Sequence, residues 1–307
     1  MSSRYLVATT VSIDEVSFPD GCPTRAVPGS AGFFAMAGLR VYTDDVLIIG
    51  GIGPEYLRRV GGWYAENRVA TNGLIQRGNQ DVVIRVTYFE DGSRIDRPSL
   101  GLDGFHALDP TLDEVSAFCG ADTRGIYVFK ALETDYLDGL LRLREQYGCR
   151  LIWEISGDAC VPENVKRVED YMSRFDIFTI NNSEAAQLYG VGDEETILSR
   201  LERASRNWIF YRCGSRGAYM LANGRRYFCH SISNGEVVDV TGAGNASSAA
   251  TLYGLCEGYG PQMSGFLGCA AAAEIIAQYG VPQKMDGRLR ARALENARRA
   301  CAGTREG

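Results

Sequence analysis

The sequence has no long hydrophobic run. None of its apolar stretches reaches the roughly 18–20 residues that a membrane-spanning helix needs. The most hydrophobic one, Leu267 to Ala277, is interrupted by Glu274 and rich in small residues, so it reads as a buried or half-buried helix. Basic residues are not in excess: 32 Lys and Arg face 38 Asp and Glu, for a net charge of -6, which argues against bulk attraction to nucleic acid or to an anionic membrane. Histidine is scarce (His106 and His230), and the nine cysteines stand singly with no C-x-x-C pair. A zinc site and a disulfide framework are therefore not expected, and reduced thiols in a cytoplasmic protein are. Met1 to Tyr5 leads into neither the apolar core nor the cleavage site of a secretory signal. Repeats and low-complexity tracts are missing too. What is present, 45% hydrophobic and 23% charged residues in a chain of 307, is the composition of a folded globular protein long enough for a large α/β layer structure.

Short apolar runs alternate with longer amphipathic ones, the rhythm of an α/β fold. Strands are predicted at Tyr5 to Ile13, Val46 to Ile49, Gly125 to Phe129, Arg150 to Ile155, Ile177 to Ile180, Trp208 to Arg212 and Ala218 to Leu221. Helices are predicted at Ala31 to Leu39, Leu57 to Asn67, Thr134 to Tyr147, Val161 to Arg174, Ser183 to Tyr189 and Glu194 to Ser205, with mostly helix after Val240. Gly73 to Gln76 and Asp81 to Phe89 have a different, β-rich texture, followed by a turn signal at Asp91-Gly92. These segments are expected to leave the main layer and pair with residues near Glu15 to Val27. The economical assembly is a three-layer α/β domain spanning 1–307, with one mostly parallel central sheet and a small β lid made of roughly 15–28 and 73–98.

The strongest chemical signal is Val237-Val238-Asp239-Val240-Thr241-Gly242-Ala243-Gly244-Asn245-Ala246-Ser247-Ser248. A β-like run ends in a glycine turn, and the turn opens a helix of small residues. Glycine lets the backbone turn tightly and approach a ligand closely. The free amides of the first helical turn, with the positive end of the helix dipole, suit phosphate. A tight turn with no ligand has the same local sequence. A dinucleotide fingerprint fits poorly: the spacing is GxGxxS, and no acidic residue follows at the expected distance, which disfavours a nicotinamide-dependent oxidoreductase. The lysine of a Walker loop is absent as well.

Asp239-Val240-Thr241-Gly242-Ala243-Gly244-Asn245 resembles the C-terminal signature of the ribokinase-like (PfkB) sugar and nucleoside kinases, D-T-x-G-A-G-D. Other segments match the family in order: Ile13-Asp14, Gly29-Ser30-Ala31-Gly32, the N-x-x-E motif Asn181-Asn182-Ser183-Glu184, and Gly214-Ser215-Arg216-Gly217-Ala218. Ile152-Trp153-Glu154, Cys160-Val161-Pro162-Glu163-Asn164 and the G-x-G-N ending further resemble a divergent branch related to fungal killer-virus maintenance proteins. The resemblance implies a ribokinase-like fold and ATP-dependent phosphoryl transfer to a hydroxymethyl group of a sugar or nucleoside. It implies that Asp14, Gly29, Ser30 and Phe33 (or Phe34) meet the acceptor, and that Asn181, Glu184, Gly214 and Gly217 meet the nucleotide. Gly242, Ala243 and Gly244 would form the anion hole. Glu184 would serve magnesium, and Asp239 with the Thr241 carbonyl a monovalent cation such as potassium. The lid edge is expected to support a homodimer.

One departure bears on mechanism. Asn245 stands where the family has its catalytic Asp, and a carboxamide cannot take a proton from the acceptor hydroxyl. General-base assistance is worth about 10²–10⁴-fold, so slow turnover is expected. A kinase-like protein that binds ligands without turnover is the alternative. Phe33 or Phe34, where relatives carry a sugar-binding Asn, suits a flat or partly apolar acceptor. Glu154 receives no role from the sequence, and Arg85 and Arg94 read as solvated lid residues.

Overall fold

The computed structural model describes residues 4–18, 24–89 and 94–304. Thirteen strands occur among them: β1 (Tyr5–Ala8), β2 (Ser12–Ser17), β3 (Arg25–Gly29), β4 (Val46–Ile52), β5 (Leu74–Gln76), β6 (Val83–Tyr88), β7 (Arg94–Pro98), β8 (Gly125–Lys130), β9 (Arg150–Ile155), β10 (Ile177–Asn181), β11 (Trp208–Arg212), β12 (Gly217–Ala222) and β13 (Arg225–His230). The helices are α1 (Ser30–Arg40), α2 (Tyr56–Glu66), α3 (Gly101–His106), α4 (Leu112–Phe118), α5 (Thr134–Tyr147), α6 (Val165–Met172), α7 (Asn182–Tyr189), α8 (Glu194–Ala204), α9 (Ala243–Cys256), α10 (Pro261–Ile275) and α11 (Gly287–Gly303).

Nine strands form the main sheet in the order β13-β12-β11-β10-β9-β8-β1-β4-β5. All neighbours from β11 to β5 run parallel, while β12 and β13 close one edge antiparallel. Successive residues of a strand face opposite helical layers. Tyr5 and Val7 join the apolar core under α1, α9 and α10, whereas Leu6 and Ala8 join the core under α4 to α8. Burial on both faces is why these strands read as continuous apolar runs rather than alternating ones.

Four strands form the lid sheet, in the order β3-β2-β6-β7. Here two boundaries differ from the sequence reading. Tyr5 to Ile13 is not one strand: the chain leaves the main sheet after Ala8 and enters the lid at Ser12, so Asp14 lies inside a lid strand. The apolar pattern runs on because both strands are buried, and it carries no mark of the change of sheet. Leu74–Gln76 belongs to the main sheet, where it extends β4 through the pair Gly50↔Leu74, so the second lid segment begins at Val83. The Asp91-Gly92 turn lies outside the described residues, although the flanking β6 and β7 pair antiparallel. Tyr88 of the lid stacks on Phe18 and meets Tyr279 edge-on, and its hydroxyl lies 3.2 Å from Thr241 Oγ1, so the lid reaches the glycine turn.

Candidate active site

The segment Val237 to Val240 is not a strand. The amides of Val238 and Asp239 both donate to the carbonyl of Ile276, and the valines at 237 and 240 are exposed. Asp239 then closes the turn, accepting the amide of Thr241 at 2.9 Å and its hydroxyl at 2.6 Å on Oδ1. Gly242 follows with φ of 74°, and a Cβ there would overlap the Phe34 ring, so both backbone and space require glycine. Gly242 caps α9 without any side-chain hydrogen bond. The amides of Gly242, Gly244 and Asn245 have no acceptor among the described residues, whereas Ala243 donates to Val240 at 3.3 Å and Ala246 to Gly242 at 2.9 Å. The turn therefore offers the open amides that a bound anion requires.

A buried polar network backs the turn. Glu154, 1% exposed, projects from β9. Its Oε2 accepts the Tyr127 hydroxyl at 2.7 Å, and its Oε1 accepts Asn245 Nδ2 at 3.1 Å and Arg212 Nη1 at 2.7 Å. Asn245 Nδ2 also lies 3.3 Å from the Tyr127 oxygen. An ionised carboxylate only accepts, so the amide nitrogen of Asn245 must face Glu154 and its oxygen must face away. Burial pushes Tyr127 well above the usual phenol range, and the neighbouring carboxylate adds to the effect. Arg212 continues to Glu184 Oε2 at 3.5 Å. Burial alone would lower the Arg212 pKa, but Glu154 and Glu184 together hold it above the ordinary arginine value.

The N-x-x-E motif is a reciprocal capping box. Asn181 Oδ1 accepts the Glu184 amide at 2.9 Å, and Glu184 Oε2 accepts the Asn181 amide at 2.8 Å. Burial raises the Glu184 carboxyl above its usual range, with Arg212 pulling it back. Gly214 and Gly217 shape the turn between β11 and β12. Gly217 has φ of 117°, and a Cβ on it would overlap the Cys229 carbonyl of β13, which accounts for that glycine by packing.

On the lid side, Asp14 is buried and accepts the Ser12 hydroxyl at 2.7 Å. The antiparallel register sets Gly29 opposite Ser12, and a Cβ on Gly29 would overlap the Asp14 carboxyl. Asp14, Gly29 and Ser30 are thus brought together at the junction of β3 and α1, with Ser30 at φ of 74°. Phe33 is buried, edge-on to the Trp63 ring at 4.8 Å, and lines a cavity with Val27, Pro28 and Trp63, while Phe34 is the ring that meets the glycine turn. Sequence reasoning missed Tyr127, Arg212 and the partnership of Glu154. The available signal was a charged residue at the centre or end of an otherwise apolar strand, in Leu-Ile-Trp-Glu-Ile and Trp-Ile-Phe-Tyr-Arg.

A mostly parallel sheet between helical layers, with a four-stranded lid at the glycine turn, is the three-layer architecture of the ribokinase-like fold. The comparisons agree. Residues 110–286 match the model of the pfkB family carbohydrate kinases, more than half of the sequence, and the chain belongs to that family. The yeast (Saccharomyces cerevisiae) protein MAK32 is 24% identical over 303 residues, covering 84% of this chain and 80% of MAK32. A structure named as a probable sugar kinase from Rhizobium etli superposes with a TM-score of 0.75 at 21% identity, covering 98% of this chain and 99% of the other. Arabidopsis thaliana ribokinase, complexed with ribose and ATP, superposes with a TM-score of 0.73 at 15% identity, covering 96% and 99%. The ribokinase-like fold expected from the sequence is the one observed. Among the described residues no helix is long and apolar enough to cross a membrane.

Proposed function

We propose that the chain transfers the γ-phosphoryl group of ATP to a hydroxymethyl group of a sugar or nucleoside. The observation that carries this reading is the set of amides at Gly242, Gly244 and Asn245 without an acceptor among the described residues, at the start of α9. Such amides stabilise charge on a transferring phosphoryl group, the main demand of this chemistry. The acceptor hydroxyl bonds to the γ-phosphorus while the bond from that phosphorus to the bridging oxygen breaks and ADP leaves. Asp14 accepts hydrogen bonds from other acceptor hydroxyls, and the Gly29 and Ser30 backbone lies alongside. The Asn245 oxygen, turned away from Glu154, accepts from the reacting hydroxyl and orients it. The proton passes to a phosphoryl oxygen or water, because an amide cannot hold it, and turnover is slow for that reason.

Magnesium suits this donor set. No group of three or more His, Cys, Asp or Glu among the described residues could hold a metal alone, and an ion carried largely by phosphates and water needs no such cluster. Glu184 Oε1 is the oxygen left after the capping box and Arg212 have taken Oε2. Gly214 and Gly217 border the nucleotide, and Asp239 with the Thr241 carbonyl provides for a monovalent cation. A homodimer through the lid follows from its two edges, β3 and β7, and light scattering tests it.

An ADP-forming assay with a panel of sugars and nucleosides tests the reading: turnover above background is expected for at least one acceptor. The missing base at 245 favours one second reading, a protein that binds nucleotide and acceptor without turnover. Calorimetric binding of MgATP with no ADP formed on any acceptor selects it.

A further inference from the structure

Arg212 ends β11 and reaches across to the start of α9, where its guanidinium lies so close over Gly244 that a Cβ there would overlap Nη1. That is an odd place for a cation, since the N-terminus of a helix is the positive end of its dipole. Glu154 anchors Nη1 at 2.7 Å, and Nη2 makes only the longer contact of 3.5 Å to Glu184. Nε is sealed from solvent and has no hydrogen-bond partner among the described residues. A buried donor left unmet is costly, and a guanidinium has five donors in all. The two carboxylates offset the charge, but they do not use the donor capacity that remains.

We propose that Arg212 binds the transferring phosphoryl group together with the amides of Gly242, Gly244 and Asn245, and that Glu154 is the positioning residue that anchors both Arg212 and Asn245. This assignment rests on the phosphotransferase reading and adds a residue to it. An arginine beside the phosphoryl oxygens neutralises charge while the old phosphorus–oxygen bond breaks and the new one forms. It makes the same site less dependent on a titrating base. Glu154 is not that base: both of its oxygens are held by Tyr127, Asn245 and Arg212. Instead it fixes the guanidinium over the anion site and turns the Asn245 oxygen away from itself.

The test uses the full chain with three probes: MgATP, magnesium tripolyphosphate, and adenosine, which has no phosphate. Arg212→Lys keeps a charge but loses the planar fork. The double variant Arg212→Gln with Glu154→Gln removes both members of the shorter ion pair together, so Glu154 is not left buried without its cation. Both are expected to bind MgATP and tripolyphosphate at least tenfold more weakly by calorimetry, with adenosine affinity changed less than twofold. Glu154→Gln alone should lower kcat at least tenfold and leave the KM for the acceptor within twofold, a split that general loosening would not produce. If either arginine variant binds tripolyphosphate within twofold of the parent, the assignment to Arg212 is overturned, and Arg212→Lys decides alone should the double variant fail to fold. Arginine-dependent tripolyphosphate binding with no transfer to any acceptor keeps Arg212 and ends the phosphotransferase reading. A parent protein that binds neither MgATP nor tripolyphosphate overturns both.

Discussion

Arg212 lies between two helix N-termini that are finished in opposite ways. At α7 the chain satisfies itself: Asn181 and Glu184 exchange side-chain and backbone hydrogen bonds across one turn. At α9 the cap is a glycine, no side chain intervenes, and three amides are left without an acceptor among the described residues. A side-chain cap is not general in this chain: α1, α2, α3, α5, α6 and α10 also begin without one. What sets α9 apart is the glycine turn beside Arg212, where open amides meet a cation, and a bound anion is the partner we propose for both.

Breaking the open end should have the largest effect. Gly242→Ala forces a methyl into the Phe34 ring and a positive φ on an L-residue. It is expected to reduce transfer by about 10²-fold or more, as loss of an oxyanion-type donor does, and initial rates measure it. Next comes the network behind that end. Glu154→Ala leaves Arg212 buried without its main partner, an expected loss of about 3–5 kcal/mol in urea unfolding.

Asn245→Asp follows. An aspartate there would set a second carboxylate beside Glu154, where Nδ2 now lies 3.1 Å from Oε1, in place of a donor. The expected result is no gain in turnover and a loss of about 1–3 kcal/mol, with stability regained when Glu154→Gln is added. A tenfold gain in rate for the single variant would show that residue 245 works as an isolated base position instead.

At the capped end the effects should be smaller. Asn181→Ala is expected to cost about 1 kcal/mol of stability, with MgATP affinity within twofold. A larger loss of affinity would give the Asn181 side chain a ligand role beyond the capping box. The smallest effect concerns pH. Burial raises the Glu184 carboxyl, so the folded state takes up this proton at higher pH than the unfolded chain does. Its contribution to stability is full below the unfolded pKa and is lost as pH rises through the folded one. Glu184→Gln should remove that component, which thermal melts between pH 4 and pH 8 would detect as a flatter profile.

Much of the scaffold was legible because it is written locally. The strand Trp208–Arg212 and the helix Thr134–Tyr147 fall where periodicity put them, since each is long enough to bury its own stripe or face. The glycine turn was legible for the same reason: Gly242 and Gly244 act through their own backbone. What stayed hidden depends on partners far along the chain. Nothing near Ala8 marks the change of sheet before Ser12, and strand β13, with Arg225 and Arg226 at its start, lacks the apolar run of its neighbours. Glu154 meets Asn245 across 91 residues and Arg212 from another strand, so the sequence alone shows Asn245 only as a missing base. In the folded chain the amide is the group that a buried glutamate can accept beside it.

The most direct measurement is amide NMR during a titration with a non-hydrolysable MgATP analogue. The largest shift changes should fall on Gly242, Gly244 and Asn245, with the Asn181 and Glu184 amides, already bonded, moving little. Shifts concentrated at Asn181 to Glu184, with the three open amides unmoved, would contradict the account.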